Sequence, residues 1–185
     1  MTKRSILLAF LLILLLSAPV VFLLWPNEKP LTKEQIVEKF IQAYHAADIH
    51  TRTTWMGIRT LQNPCDLWAI QEIIWDVKPD FIVETGTYKG GGSLFLASVL
   101  QNVNASAKVI TVDIKRQIGL ASKLPLFQER VEFIEEDSVS EETIRQIGQR
   151  VNASKVMVML DSDHHKKHVL KELRLYSQFV SRGSY

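Results

Sequence analysis

The order of apolar and polar positions divides the chain into stretches with different periods. Residues 5–25 (SILLAFLLILLLSAPVVFLLW) carry no charge, and Lys3 and Arg4 precede them. At ~1.5 Å per residue this run spans the roughly 30 Å hydrocarbon layer of a bilayer, which predicts a single-pass anchor. A cleaved signal peptide shares the basic start and the Leu-rich run. The length of the run, and the continuation beyond Ser17-Ala18 through Pro19 without a polar break, favour retention. Residues 26–31 form a short connector stiffened by Pro26 and Pro30.

A different period begins at Thr32. Thr32-Lys33-Glu34-Gln35 reads as a capping box, and Ile36, Val37, Phe40, Ile41 and Tyr44 follow at helical spacing. Residues 45–64 show no clear period. A second amphipathic helix is expected from Asp66, with Leu67, Ile70, Ile74 and Val77 on one stripe and Trp68 and Trp75 beside it, until Lys78-Pro79 ends it. Residues 32–78 thus form an amino-terminal helical region.

From residue 79 short β-rich runs alternate with helical ones. Strands are predicted at 80–84, 108–114, 131–135 and 155–160, and helices at 93–103, 140–150 and 164–180, the last with Val169, Leu170, Leu173 and Tyr176 on one side. This alternation predicts parallel βαβ units, and runs as apolar as KVMVML predict strands covered on both faces. With right-handed crossovers the expected fold is α/β, a Rossmann-like doubly wound parallel sheet of order 3-2-1-4 preceded by a transmembrane helix. The strand ending at Leu160 is then an unprotected edge.

Charge changes the picture little. The chain has 22 Lys+Arg and 20 Asp+Glu, and residues 1–30 hold three of the former and one of the latter, so the remainder is neutral. A neutral domain lacks the footprint of a nucleic-acid binder, and a small-molecule or protein partner is expected instead. With 46% hydrophobic residues, 8 Gly and 6 Pro, disorder and low complexity are excluded. Cys65 is the single cysteine, so no intrachain disulfide or Cys-rich metal site forms.

In such sheets ligands bind beyond the carboxyl ends of the strands. The first strand is followed by Glu84-Thr85-Gly86-Thr87-Tyr88-Lys89-Gly90-Gly91-Gly92-Ser93, a loop that brings backbone amides to a helix start. The spacing from Gly86 to Gly90 does not meet G-x-G-x-x-G, which weakens a nicotinamide dinucleotide reading; a tight turn without a ligand is the plain alternative. Asp113 ends the second strand, where a carboxylate accepts ribose hydroxyls, and Asp137-Ser138 ends the third, where the pair can face an adenine amine. Acids at three strand ends fit an adenosine-bearing ligand with a positive centre. The fourth end is Asp161-Ser162-Asp163-His164-His165. Two carboxylates there suit a hard divalent ion such as magnesium, and His164 is a candidate general base. Helix capping by Ser162 or Asp163 would account for one of the acids. A zinc site from His164 and His168 has neither Cys nor an intervening Glu in support.

Several stretches resemble the cephalosporin hydroxylase and rhamnosyl O-methyltransferase group of class I S-adenosylmethionine-dependent methyltransferases. They are Trp55-Met56-Gly57, PCDLWAIQEIIWDVK from Pro64, PDFIVETGTYKGGGSLFLAS from Pro79, and LDSDHHKKHVLKELRLYSQFVSRGSY from Leu160, together most of residues 55–185. The resemblance implies a partial methyltransferase domain over 79–185, in which the loop around Glu84, Gly86, Thr87 and Gly90 holds the methionine moiety of S-adenosylmethionine. It places Asp113 at the ribose and Asp137 and Ser138 near the adenine. Asp161 and Asp163 are implied magnesium ligands and His164 the base, for methyl transfer to a hydroxyl of a sugar, glycolipid or related small molecule. Three departures stand out: Ser93 falls one place late after three glycines, the amino-terminal anchor is not general in the group, and the chain stops where a fifth strand would lead to a further acidic pair completing the metal site. A non-catalytic, membrane-anchored cofactor-binding relic is therefore the alternative, and a homo-oligomer is compatible with either. Since S-adenosylmethionine is cytosolic, the domain is expected on the cytosolic side of the membrane, although basic residues on the two flanks of residues 5–25 are nearly balanced and Asn104-Ala105-Ser106 and Asn152-Ala153-Ser154 are glycosylation sequons.

Overall fold

The computed structural model describes residues 29–152 and 154–185. The chain divides into two compact units, Met1–Ala43 and Tyr44–Tyr185. In the first, Thr32 Oγ1 accepts from the Gln35 amide and the Gln35 side chain accepts from the Thr32 amide, the reciprocal capping box expected at the start of helix α1 (Lys33–Ala46).

The second unit opens with a hairpin that the sequence pattern did not reveal, β1 (Thr54–Trp55) paired antiparallel with β2 (Ile58–Arg59). Its strands are two residues long, too short to show a period. Helix α2 (Pro64–Val77) starts two residues earlier than expected because Pro64 fits the first helical turn and the Asn63 side chain caps the Cys65 amide. Its stripe is as anticipated, with Ile74 and Val77 buried and Trp68 and Trp75 exposed.

The main sheet is four parallel strands, β3 (Phe81–Thr85), β4 (Lys108–Asp113), β5 (Val131–Glu135) and β6 (Val156–Leu160), in the order β5-β4-β3-β6. This is the expected 3-2-1-4 arrangement. Alternate residues feed two cores: Ile82 and Val109 pack with helix α3 (Gly91–Val103) and Phe127 of helix α4 (Pro125–Arg130), while Val83, Ile110 and Val112 pack with Ile147 and Tyr176 of helices α5 (Glu141–Val151) and α6 (Lys166–Tyr176). Burial on both faces is why these strands read as continuous apolar runs. Six-residue α4 was not expected from the sequence; it is too short to establish a helical period.

Three expectations need correction. Helix α6 is shorter than residues 164–180, and it turns Glu172 and Tyr176 inward while Leu170 and Leu173 are exposed. Partners for Glu172, described below, make that orientation affordable in free energy. The β6 edge is also not bare: the Val156 amide donates to Ser181 Oγ (2.9 Å), the Ser181 amide to the Val156 carbonyl (3.3 Å) and the Val158 amide to the Tyr185 carbonyl (2.8 Å). Returning chain thus covers part of the exposed ladder.

The third correction concerns localisation as a membrane-anchored protein with a cytosolic domain. No helix among the described residues is long and apolar enough to cross a membrane. The longest, α1 and α2, have 14 residues each, about 21 Å at 1.5 Å per residue against the roughly 30 Å required. The span expected at residues 5–25 lies outside the described residues.

Buried Tyr176 ties α6 to the loop after β5 by donating its hydroxyl to the Ser138 carbonyl at 2.7 Å. Tyr176→Phe leaves that carbonyl without this donor and is expected to cost about 1–2 kcal/mol. Urea unfolding of the two proteins measures the difference, and equal midpoints would count against the bond.

Candidate active site

The carboxyl ends of β3, β4, β5 and β6 surround a cavity of about 500 Å³. Its lining includes Glu84, Gly86, Thr87, Asp113, Asp137, Ser138, Asp161, Asp163 and His164. Nine of the ten residues singled out in the sequence therefore meet at one place. The tenth, Gly90, is the amino-terminal cap of α3 and packs instead against Ala121 and Phe127.

The turn after β3 depends on Gly86. Its φ is +87°, and a Cβ there would lie 2.0 Å from the Asp161 carbonyl oxygen, so the β3 and β6 tips approach at contact distance over this residue. Tyr88 is left-handed too, with φ +49°, and its amide donates to Asp113 Oδ2 at 2.8 Å. That bond supports a conformation costly for a residue with a side chain.

Glu84 is 2% exposed. Ser93 Oγ and Thr111 Oγ1 both donate to its Oε2, the latter at 2.6 Å, and Thr111 in turn contacts Thr87 Oγ1 at 2.6 Å. The hydroxyl that comes one place late in the glycine run is thus turned onto Glu84, and α3 starts without a side-chain cap. Burial raises the Glu84 carboxyl from 4.5 to about 7 against the lowering effect of the two hydroxyls, with the Asp161 and Asp113 charges adding to the rise. A buried carboxyl poised near neutrality beside a cavity is suited to a ligand that brings its own positive charge.

Asp113 holds two loops together, since its Oδ1 accepts from the Lys115 amide at 3.0 Å while Oδ2 holds Tyr88. Each carboxylate oxygen keeps a further lone pair for a ligand hydroxyl. Asp137 is exposed and uses Oδ1 to accept from the Val139 amide at 3.0 Å, whereas neighbouring Ser138 is buried.

At the β6 tip, Asp161 accepts from the Gln62 side chain through Oδ2, and its Oδ1 is 4.0 Å from His164 Nε2. Burial raises the Asp161 carboxyl above its ordinary value, against the lowering effects of His164 and Gln62. Asp163 points elsewhere: its Oδ1 accepts from the His165 amide and meets the His165 ring, and these two bonds lower its carboxyl. The two acids are therefore committed to different partners, and the described residues contain no group of three or more His, Cys, Asp or Glu side chains that could hold a metal ion. As arranged, Asp161 and Asp163 do not fit a magnesium site by themselves. The capping alternative is not met either: His165 is the cap residue of α6 and makes no side-chain capping bond, while Asp163 closes the turn before it.

Sequence reasoning missed Thr60, Leu61 and Gln62, which line the cavity from the segment after β2 and have no local signal. It gave His168 only a weak zinc reading and passed over Glu172. Their spacing of four residues on a helix was the available clue.

Residues 47–185 match the family described as Rhamnosyl O-methyltransferase/CmcI. The chain is similar to the rhamnosyl O-methyltransferase of Mycobacterium leprae, 33% identical over 155 residues that make up 82% of this chain and 66% of that protein. It is 31% identical to that of Mycobacterium bovis over 156 residues, 82% of this chain and 62% of the other. The chain thus spans about two thirds or less of the length of these relatives. Among solved structures, cmcI with magnesium and S-adenosylmethionine aligns at 18% identity over 72% of this chain and 55% of that one, with a TM-score of 0.55. A putative caffeoyl-CoA O-methyltransferase from Staphylococcus aureus aligns at 14% identity over 82% and 63%, with a TM-score of 0.52. At these identities the structural likeness carries the fold alone.

Proposed function

Since the chain belongs to the Rhamnosyl O-methyltransferase/CmcI family, we propose that it acts in S-adenosylmethionine-dependent methyl transfer to a hydroxyl of a sugar or related small molecule. The observation that carries this reading is one cavity with an acid at each of four strand ends: Glu84, Asp113, Asp137 and Asp161. In this reading the β3 loop at Gly86 and Thr87 admits the methionine end of the cofactor beside Glu84. Asp113 accepts from the ribose hydroxyls, and Asp137 and Ser138 face the adenine. The acceptor enters on the side of Gln62, Asp161 and His164.

In the transfer, the acceptor oxygen forms a bond to the methyl carbon as the carbon–sulfur bond breaks. The sulfonium becomes a neutral thioether, and the hydroxyl proton passes to a base. His164 is the candidate, with its Nε2 4.0 Å from Asp161 Oδ1. Carboxylates around the cavity favour the cationic cofactor over its neutral product, while the fixed loops supply alignment of the reacting atoms. No step is assigned to a metal, because Asp161 and Asp163 are directed at different partners.

Calorimetry with S-adenosylmethionine tests the reading. Asp113→Ala removes charge-assisted bonds worth roughly 1.5–3 kcal/mol, so affinity is expected to fall about ten- to a hundredfold. Absence of binding by the wild type would overturn the proposal. Binding without methyl transfer to any sugar hydroxyl would favour a cofactor-binding protein that lacks turnover.

A further inference from the structure

We propose that His168 and Glu172 form a cross-brace that fixes the spacing of the β5 and β6 tips beside the cavity. This rests on the functional reading above only for what the cavity holds. β5 and β6 are the two edges of the sheet, with β4 and β3 between them. At 4.7–4.9 Å per strand their axes are about 14 Å apart, and no ladder bond joins them. Their tips meet instead at one imidazole nitrogen: His168 Nε2 is 3.1 Å from Ser138 Oγ, after β5, and 3.2 Å from Ser162 Oγ, after β6.

Glu172 stands behind this junction. It is 1% exposed, and a carboxylate so deeply buried requires donors. Ser162 Oγ donates to its Oε1 at 2.7 Å, and His168 Nε2 faces the same oxygen at 3.4 Å. Ser162 has then used its single proton on Glu172, so the hydrogen between it and the ring sits on Nε2, which can direct it toward the serine oxygens and the carboxylate. Nδ1 makes no hydrogen bond among the described residues. His168 and Glu172 are one turn apart on α6, whose Tyr176 reaches the Ser138 carbonyl. One helix thus holds both tips. His168 also lines the cavity, so a change in the brace alters the space between the cofactor side at Ser138 and the acceptor side at Asp161. His168 is accordingly a positioning residue.

Hydrogen exchange on the unliganded full chain tests the brace without reference to any ligand. In His168→Leu, exchange at residues 138–140 and 162–165 is expected to rise at least tenfold while β3 and β4 amides change less than threefold. His168→Gln, whose amide can donate from the position of Nε2, should restore wild-type exchange in both loops. Unchanged loops in His168→Leu would overturn the proposal. So would a uniform rise that includes β3 and β4, which is the mark of a residue needed only for stability, or failure of His168→Gln to restore protection. Nitrogen-15 shifts of the His168 ring should report the Nε2–H tautomer in the wild type, and the opposite tautomer would also overturn it. Calorimetry with S-adenosylmethionine then reads the consequence, with affinity at least tenfold lower in His168→Leu and within threefold of wild type in His168→Gln. A wild type that binds no S-adenosylmethionine would overturn the functional reading, while the exchange result still decides the brace.

Discussion

Replacing Gly86 with alanine is expected to destabilise the protein by about 3–5 kcal/mol, a large part of the 5–15 kcal/mol that holds a typical domain together. Two costs combine. The φ of +87° disfavours any residue with a Cβ, and the added carbon would sit 2.0 Å from the Asp161 carbonyl oxygen and 2.6 Å from its carbonyl carbon. Both obstructing atoms are backbone at the end of β6, so relief requires the β3 and β6 tips to separate. Gly119→Ala is the matching control, because a Cβ there meets nothing within 4 Å and φ is not in the left-handed region. Its effect should stay within about 0.5 kcal/mol. Urea unfolding of the three proteins supplies the comparison; a loss below about 1 kcal/mol for Gly86→Ala would mean that the tips do not approach as described.

Glu84→Gln is expected to remove a large pH dependence of stability. The folded carboxyl, at about 7, holds its proton more tightly than the unfolded one at 4.5. The resulting stabilisation is complete below pH 4.5, declines as pH rises, and is lost above 7. Its full extent is about 3 kcal/mol. Glutamine keeps an oxygen to accept from Ser93 and Thr111 but has no proton to exchange, so the variant lacks this decline. The difference between the two stability curves across pH 4–8.5 isolates Glu84 from the other carboxyls, and parallel curves would contradict the assignment. Ligand binding should show the opposite trend. A sulfonium cofactor prefers the ionised carboxylate, so wild-type affinity should rise as pH passes through 7, whereas Glu84→Gln should show no such rise.

Both predictions rest on features with unequal visibility in the sequence. Period and composition determined the α/β alternation and the four parallel strands, because each buried strand and each amphipathic helix writes its environment into consecutive residues. The capping box at Thr32 and the acids at the strand ends were legible for the same reason, since a strand end fixes where its next side chain lies. Ile74 and Val77 on the α2 stripe were equally visible.

Tertiary structure decided what depends on residues far apart in the chain. The short hairpin and α4 lacked the length to show a period. The inward face of α6 was misjudged because Leu170 and Leu173 look like core, yet Glu172 is the buried residue once Ser162 and His168 supply its hydrogen bonds. The role of Gly90 in packing came from Ala121 and Phe127, some thirty residues on. Asp163 looked equivalent to Asp161 until the fold turned one carboxylate onto His165 and the other toward Gln62. Sequence order specifies which residues reach a strand tip, but the partners that fix a side chain's direction arrive from other tips and helices only when the sheet has assembled.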